Sequence, residues 1–450
     1  MKSGVILRDA CKAREGTRGQ GEMVRNNCAW GVFKILINPM KLFLLLMMSV
    51  GLVAAEVAAP AASPVAMTST YYGYRPGALE KTKALIAQGD KAAVAVLKTL
   101  TKEADKFLDD KPLTVTDKKV ASPTGDIRDY VSLAPYFWPN PKTSDGLPYI
   151  RKDGEVNPES KNPDFADDTR VLALARRMKT LGLAYYFTGD EKYGAKAVEQ
   201  IRVWFVDEKT KMNPHMKFSQ GVRGESTGRF TGMMDGRHIS MAADATALFV
   251  NSKAWKAGER EAAEVWFKDF FEWMLKGELG KAEGESKNNH GSHYDAQIVR
   301  WALHVGQTDV AKEFLERAKE KRIALQIEPD GKQPLELART NSLSYSQFNL
   351  KALTSLAIMG EYVGVDLWNY KTKDGRCIAI ALDYLLPYLD VPRKPWPFKQ
   401  IVPKKAEVPE ILPEMRMASI LFKKPEYVSV AAKYDDLPTI SKVDYLVGGF

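Results

Sequence analysis

Two polar clusters in this 450-residue chain contain side chains that could act together on an acidic substrate. The first is Asn288-Asn289-His290-Gly291-Ser292-His293-Tyr294-Asp295, and the second runs from Glu336 to Tyr345 and includes Arg339. Asparagine, histidine and arginine together can hydrogen-bond a carboxylate and neutralise it, which acidifies the proton on the adjacent carbon. A positioned tyrosine could remove that proton and protonate a departing oxygen. This chemistry is β-elimination on a uronic-acid polymer.

Both clusters lie where helices are expected to begin. Ser292-x-x-Asp295 and Ser344-x-x-Gln347 have the pattern of capping boxes, so we expect Asn289 and His290 just before one helix and Tyr345 in the first turn of another. One helix, a short turn and an antiparallel return helix account for the residues between the clusters. The two capped helices should therefore run parallel, with their N-termini at the same rim. This topology predicts that the two clusters form one site.

Each of these residues also has a structural interpretation. A tyrosine on an apolar helix face, such as Tyr345, is commonly a core residue, and Arg339 could pair with Glu336 on the surface. The spacing His290-x-x-His293 could suggest zinc, but no H-E-x-x-H motif, cysteine pair or third ligand accompanies it. We therefore predict neither a metal nor a cofactor.

Two irregular segments could line a substrate groove. The aromatic and proline-rich segment Tyr130–Pro141 cannot be a helix interior, and its aromatic faces suit either sugar rings or a packed loop. The glycine-rich segment Asn213–Ser240 carries basic and amide side chains that suit either a polyanion or a solvated surface loop. The candidate residues in these segments are Tyr136, Trp138, Gln220, Arg229 and Arg237.

Helical periodicity dominates the chain, and alternating strand patterns are scarce. Apolar residues at helical spacing are followed by short glycine-containing turns and further helices, a pattern typical of antiparallel helical hairpins. Such a series can form a bundle, an open solenoid or a closed α/α toroid, and the absence of a short repeat signature favours the toroid. The predicted helices are 169–187, 191–206, 292–305, a return helix to about 326, and 344–363, with irregular insertions at 111–165, 207–240 and 327–343.

The N-terminal region has the pattern of a secretory signal peptide. Met40-Lys41 precedes an apolar run that ends in Ala54-Ala55 and is too short to span a bilayer. We predict an upstream extension at 1–39, a signal peptide at 40–55, an Ala/Pro linker at 56–70 and one domain at 71–450. The mature protein would be periplasmic or secreted, with no membrane anchor after cleavage.

Composition and charge narrow the class of protein. With 45% hydrophobic and 27% charged residues and three cysteines, the chain is neither disordered nor a disulfide scaffold. The formal net charge of +9 would suit an acidic polymer. Residues 1–55 hold eight of the basic and three of the acidic residues, so cleavage would leave +4. The net charge of the mature chain therefore says little about partners, and the informative basic residues are those of the candidate site. We expect an acidic polysaccharide partner and no nucleic acid.

An ordered set of motifs across roughly residues 75–390 resembles the alginate lyase superfamily. The motifs are Tyr136-Phe137-Trp138-Pro139-Asn140-Pro141, Asp235-Gly236-Arg237, Asn288-Asn289-His290 and Leu337-Ala338-Arg339 with Leu343-Ser344-Tyr345-Ser346. The resemblance implies an all-α, incomplete (α/α) toroid of about six or seven helical hairpins. It also implies a bacterial polysaccharide lyase that acts in or from the periplasm.

The resemblance further implies roles for individual residues. Tyr345 would be the general base and also the general acid. Asn289, His290 and Arg339 would neutralise the uronate carboxylate. The groove would be lined by Tyr136, Trp138, Gln220, Arg229, Arg237 and Tyr294.

The expected reaction is depolymerisation of a uronate polymer to 4,5-unsaturated products. We expect alginate first, especially mannuronate-rich alginate. Glucuronan is second, because Gly291-Ser292-His293 departs from the sequence that follows Asn-His in mannuronate-specific members. Two alternatives remain. One is a glycoside hydrolase on the same toroid, with a carboxylate pair drawn from Glu225, Asp235 and Asp295. The other is a polysaccharide-binding protein without catalysis.

Overall fold

The computed structural model describes residues 67–401 and 408–435 of the chain. All of them belong to one compact unit, Ser63–Phe450. The predicted upstream extension, the signal peptide and most of the Ala/Pro linker lie outside the described residues. Within the described residues, no helix is both long enough and apolar enough to cross a membrane.

Helices dominate the described residues, as the periodicity predicts. The fourteen α-helices of this part of the chain are α1 (Ala78–Ala87), α2 (Lys91–Asp105), α3 (Asp168–Thr188), α4 (Glu191–Ile201), α5 (Gly236–Asp244), α6 (Glu259–Lys276), α7 (Glu278–Gly284), α8 (Asn289–His304), α9 (Thr308–Ala318), α10 (Pro334–Leu337), α11 (Ser342–Glu361), α12 (Ile378–Leu389), α13 (Leu412–Leu421) and α14 (Pro425–Ala432). Wider π-helical turns extend α4 over Arg202–Val206 and α9 over Lys319–Ala324.

Four short strands lie in two of the predicted irregular insertions. Strand β1 (Val131–Leu133) pairs in parallel with β4 (Phe218–Gly221), and β2 (Phe137–Trp138) pairs antiparallel with β3 (Ile150–Arg151). Each pair is only two strands wide, which is marginal without packing against other elements. The insertions are therefore loops held in place by the helices beneath them.

Helices α3, α5, α8 and α11 pack side by side in that order. Helix α4 packs against α3, and α9 packs against α8, so these two inner helices are each followed by a partner on the outside. This alternation is the incomplete (α/α) toroid that the sequence predicts. It places the N-termini of the inner helices next to the irregular insertions.

The parallel arrangement of α8 and α11 follows from two contacts. The Nε2 of His293 donates to the carbonyl of Phe348 at 3.1 Å, and Nη2 of Arg300 donates to Oγ of Ser355 at 3.0 Å. Both partners advance by seven residues between the first contact and the second, so the helices run in the same direction. The prediction that their N-termini meet at one rim is confirmed.

The predicted starts of these two helices are wrong by a few residues. Helix α8 begins at Asn289, because Oδ1 of Asn288 accepts the N–H of His290. The hydroxyl of Ser292 instead donates to Oε1 of Gln326 at 2.8 Å. Helix α11 likewise begins at Ser342, two residues before the predicted cap. Asn289 and His290 are therefore helical residues, fixed more rigidly than loop residues would be.

Aromatic packing joins the outer layer to α8. Phe270 of α6 stacks on Trp266 with ring centroids 5.1 Å apart and contacts Trp301 of α8 at 5.4 Å. Phe267 lies 5.8 Å from the same indole. Burying each such ring stabilises the fold by on the order of 1.5–3 kcal/mol. These aromatic contacts therefore fix α8 firmly against α6.

Candidate active site

Tyr345 lies in the first turn of α11, and its phenol oxygen is 2.6 Å from that of Tyr136. Tyr136 precedes β2 on the proline-rich insertion, so the contact joins the loop to the helical scaffold. Burial, reinforced by the neighbouring phenol, raises the pKa of Tyr345 well above its usual value. Tyr345 is therefore a neutral phenol at neutral pH in the free protein.

The guanidinium of Arg339 covers the Tyr345 ring, with its central carbon 3.8 Å from the ring centroid. A cation over the face of a phenol stabilises negative charge on that ring. Arg339 is itself held by Asp153, through Nη2 to Oδ1 at 2.7 Å and Nε to Oδ2 at 3.2 Å. Arg339 pairs with this carboxylate and not with Glu336, the surface partner considered from sequence.

Asp153 is a site residue that the sequence analysis missed. Burial alone would raise its pKa, but the hydrogen bonds and charge of Arg339 hold the pKa well below its usual range. Gly154 follows with a φ of 79°, and a Cβ there would lie 2.3 Å from the hydroxyl oxygen of Thr340. Glycine is therefore required for the loop to bring Asp153 against Arg339.

Asn289 is fixed by the buried carboxylate of Glu336. The backbone N–H of Asn289 donates to Oε1 and its Nδ2 donates to Oε2, both at 2.7 Å. Burial raises the pKa of Glu336, although these two hydrogen bonds oppose the shift. Oδ1 of Asn289 is buried and has no partner among the described residues. Glu336 uses only one of the two amide hydrogens of Asn289, and the residue is 1% exposed, so its side chain forms part of the floor of the site.

His290 is oriented by Glu283 of α7. Its Nδ1 lies 2.6 Å from Oε1 of Glu283, whose side chain is fully buried. A carboxylate can only accept, so Nδ1 of His290 carries the hydrogen and Nε2 is the nitrogen left for a substrate. Nothing in the sequence signals this pairing, because the break between α7 and α8 separates the two residues.

Three of the four predicted catalytic residues act on one carboxylate, that of Glu336, and the fourth, Tyr345, contacts one of those three. The charges of Arg339 and His290 both act on Glu336, which Asn289 contacts directly. Arg339 in turn covers Tyr345. The structure therefore brings the two sequence clusters together around a single centre.

Four of the predicted groove residues lie on or beside the insertions. The indole of Trp138 donates to the carbonyl of Glu155 at 2.9 Å. The guanidinium of Arg229 lies 4.9 Å from the ring centroid of Phe137, and burial lowers its pKa. Nε2 of Gln220 donates to Oδ1 of Asp235 at 3.1 Å. Arg237 begins the inner helix α5 with Gly236.

The prediction that Tyr294 lines the groove is wrong. Its side chain is 2% exposed, and its hydroxyl donates to the carbonyl of Met274 at 3.0 Å. The tyrosine lies four residues after His290 on a helix that is buried on most faces. One turn of α8 thus presents His290 to the site and Tyr294 to the core.

Two of the three carboxylates considered for hydrolysis, Asp235 and Asp295, are engaged elsewhere. Asp295 is buried between Arg317 and Arg322, at 2.7 Å from each. Asp235 accepts from the hydroxyls of Tyr130 and Ser132 at 3.0 and 2.7 Å. No pair of these carboxylates flanks Tyr345, whereas a glycoside hydrolase needs two carboxyl groups across the scissile bond.

Comparisons with known proteins identify the family of the chain. The alginate lyase family profile matches residues 114–396. The chain is 40% identical to an alginate lyase from Bacteroides ovatus, over 85% of this chain and 100% of that one, with a TM-score of 0.78. It is 17% identical to alginate lyase A1-III from Sphingomonas species A1, over 74% and 82% of the two chains, with a TM-score of 0.47. A search of curated proteins gives no match. The chain therefore belongs to the alginate lyase family and is a polysaccharide lyase.

Proposed function

We propose that this polysaccharide lyase depolymerises mannuronate-rich alginate by β-elimination, with Tyr345 as the catalytic acid and base. The observation that carries the proposal is the position of Tyr345 between the phenol of Tyr136 and the guanidinium of Arg339. The charge of Arg339 favours a transient phenolate. The phenol of Tyr136 and burial raise the pKa of Tyr345 in the free protein, but once the phenolate has formed the Tyr136 hydroxyl can donate a hydrogen bond to it.

Before the proposed first step, Tyr345 loses its phenol proton to solvent. The resulting phenolate then removes the proton from C5 of the uronate. The electrons of the C–H bond move toward the carboxylate, where the free amide hydrogen of Asn289 binds the growing charge. His290 adds an N–H from Nε2 when its ring is protonated, because Nδ1–H already donates to Glu283. Arg339 adds its positive charge. Its Nε and Nη2 donate to Asp153, so Nη1 is the nitrogen that can face the substrate. Groups that bind charge developing in the transition state act on kcat.

In the second step, the electrons form the C4–C5 double bond and the C4–O4 bond breaks. The departing oxygen takes the proton that Tyr345 has just removed. Tyr345 therefore ends the elimination as a phenolate, the state in which it removed the C5 proton. One residue can do both tasks only if the C5 hydrogen and O4 lie on the same side of the sugar ring. Mannuronate and glucuronate share that configuration, whereas guluronate is inverted at C5. This geometry supports mannuronate-rich alginate first and glucuronan second.

The test is a substrate panel of polymannuronate, polyguluronate, glucuronan, pectate and glycosaminoglycans, with unsaturated product monitored by ultraviolet absorbance. We expect polymannuronate to give the highest kcat/KM, followed by glucuronan. Equal or faster cleavage of polyguluronate would contradict a single acid–base tyrosine on one face of the sugar.

We also propose that residues 40–55 direct export to the periplasm, on the strength of the short apolar run and its small-residue end. Expression of the full chain in a Gram-negative host, fractionation and N-terminal sequencing test this. We expect periplasmic protein that begins at or near Glu56. Protein confined to the cytoplasm with an intact N-terminus would contradict it.

A further inference from the structure

A buried amide connects the two helical turns that carry the proposed reacting groups. Asn349 of α11 lies one turn after Tyr345 on the same side of the helix, and its side chain is fully buried. An amide inside a helix bundle must find hydrogen-bond partners there. Nδ2 of Asn349 donates to Oε1 of Gln326 and to Oε1 of Gln333, both at 2.8 Å. Both amide hydrogens are therefore used, and each holds a different glutamine.

Gln326 extends this connection to the start of α8. It follows the π-helical turn that extends α9, and its Nε2 donates to the carbonyl of Asn288 at 3.2 Å. The hydroxyl of Ser292 donates to the same Oε1 that Asn349 contacts. Asn288 is the residue whose side chain caps the N–H of His290. Through one intermediate side chain, Asn349 therefore holds the first turn of α8, which carries His290.

Gln333 extends the connection to α10 and back to α11. Its Nε2 donates to the carbonyl of Ser346, the residue after Tyr345, at 3.1 Å. Its own carbonyl accepts the N–H of Glu336 at 2.9 Å, in the short helix whose carboxylate fixes Asn289. The two glutamines therefore meet at a single amide, between the turn of the proposed base and the turns that hold the proposed carboxylate-binding groups.

The oxygen of the same amide is not used. Oδ1 of Asn349 is buried and has no partner among the described residues. A buried polar atom without a hydrogen bond destabilises the fold, whereas the neighbouring buried positions Leu350 and Leu353 of α11 are apolar. The amide thus costs stability that an apolar side chain would not, and what it supplies in return is the pair of contacts to the glutamines.

We propose that Asn349 is a positioning residue for the elimination, which sets the distance between the Tyr345 phenol and the carboxylate-binding groups on α8. The inference rests on the proposed function, because those roles are what make the distance matter. Asn349 acts through the two glutamines and makes no hydrogen bond to a reacting group. A displacement of about 1 Å between reacting groups can lower a rate by about a hundredfold, so its effect falls on kcat and not on KM.

The experiment compares Asn349→Ala with Leu356→Ala on polymannuronate, at a temperature where thermal unfolding shows both variants to be folded. Leu356 is the matched control, because it is a fully buried residue of the same helix and its truncation also removes packing. For Asn349→Ala we expect kcat to fall about 10- to 100-fold, with KM within about threefold of wild type. Leu356→Ala should also lower the unfolding temperature, but its kcat should stay within about twofold of wild type.

Two further variants separate the hydrogen bonds from the packing. Asn349→Asp has the shape of asparagine but can donate at most one hydrogen bond, so its kcat should also fall, by at least about threefold. Gln333→Met removes one of the two glutamine contacts. Its loss in kcat should not multiply with that of Asn349→Ala, because both variants break the same connection.

Three results would overturn the positioning role: an unchanged kcat in Asn349→Ala, an equal loss in Leu356→Ala, or losses that multiply when Asn349→Ala and Gln333→Met are combined. Each of them leaves the proposed function standing, because wild-type activity is measured in the same assay. Absence of unsaturated product from the wild-type protein on every uronate polymer would instead refute the proposed function, and this inference with it.

Discussion

The phenol oxygens of Tyr136 and Tyr345 lie 2.6 Å apart, although 209 residues separate the two tyrosines in the chain. Tyr136 comes from a proline-rich loop and Tyr345 from the first turn of an inner helix. The contact means that the surroundings of the Tyr345 phenol, the proposed acid and base, are formed by the insertion as well as by the toroid. Loss of either hydroxyl should therefore affect the reaction, by different amounts.

Replacing Tyr345 by Phe removes the proposed acid and base while keeping the ring under Arg339. We expect kcat on polymannuronate to fall by at least about a thousandfold, since proton transfer and electrostatic stabilisation are both lost. Substrate affinity should stay within about threefold of wild type, as measured by calorimetry with an oligomannuronate. Activity close to wild type would rule out Tyr345 as the base.

Replacing Tyr136 by Phe removes one hydrogen bond to the Tyr345 phenolate. The expected loss in kcat is about 10- to 100-fold, the scale of one hydrogen bond to a charged group. Tyr149→Phe is the control, because this phenol lies on the same insertion but donates to Glu159 at 2.7 Å. A loss of the same size in both variants would indicate a general effect on the loop.

The pH dependence of kcat/KM reports on the free enzyme. Because burial raises the pKa of Tyr345, the phenolate fraction should increase steadily with pH below that value. We expect kcat/KM for wild type to rise between about pH 6 and about pH 9. The profile should be measured at constant ionic strength, since the substrate is a polyanion. A fall over this interval would contradict a tyrosine base.

Glu283→Gln tests whether the buried carboxylate orients His290. The glutamine can no longer hold Nδ1–H as a charged acceptor, so we expect kcat to fall by about 10- to 100-fold, the size seen when a partner that orients a histidine is lost. Adding His290→Ala should then cost little more, because the two residues act as one unit. If the two losses multiply instead, Glu283 acts independently of the histidine.

Asp153→Asn tests the support of Arg339. We expect kcat to fall about tenfold or more, because the guanidinium loses its anchor over Tyr345. The pKa of Asp153 is depressed in the folded protein. Its ion pair therefore stabilises the fold above about pH 4, and this contribution is lost as pH falls through the folded-state pKa.

Thermal unfolding at several pH values measures the second effect. Wild type should be more stable than Asp153→Asn near neutral pH, and the difference should shrink in acid. A difference independent of pH would mean that the carboxylate charge is not what stabilises the loop.

The sequence predicted where the proposed reacting groups lie better than it predicted which residues support them. Helical periodicity between the two clusters was sufficient to deduce that α8 and α11 run parallel, and that deduction placed His290 beside Tyr345's helix. Glu283 and Asp153 could not be found in this way. Their partners are set by the packing of α7 and by one loop turn, neither of which leaves a pattern in the sequence.

Tyr294 and the helix starts show a second limit. A tyrosine four residues after His290 looks as if it belongs to the same face, yet α8 is buried on nearly all sides and its next turn points into the core. Similarly, Ser292 has the pattern of a cap but donates to Gln326. Tertiary packing decided both positions. It outweighed the expected helix face of Tyr294 and the expected cap at Ser292.

The most direct test of the β-elimination mechanism is the ratio of new double bonds to new chain ends during polymannuronate digestion by the wild-type protein. Ultraviolet absorbance counts the former, and a reducing-end assay counts the latter. Elimination predicts one conjugated double bond for every new reducing end. New reducing ends without absorbance would mean hydrolysis and would contradict the role assigned to Tyr345.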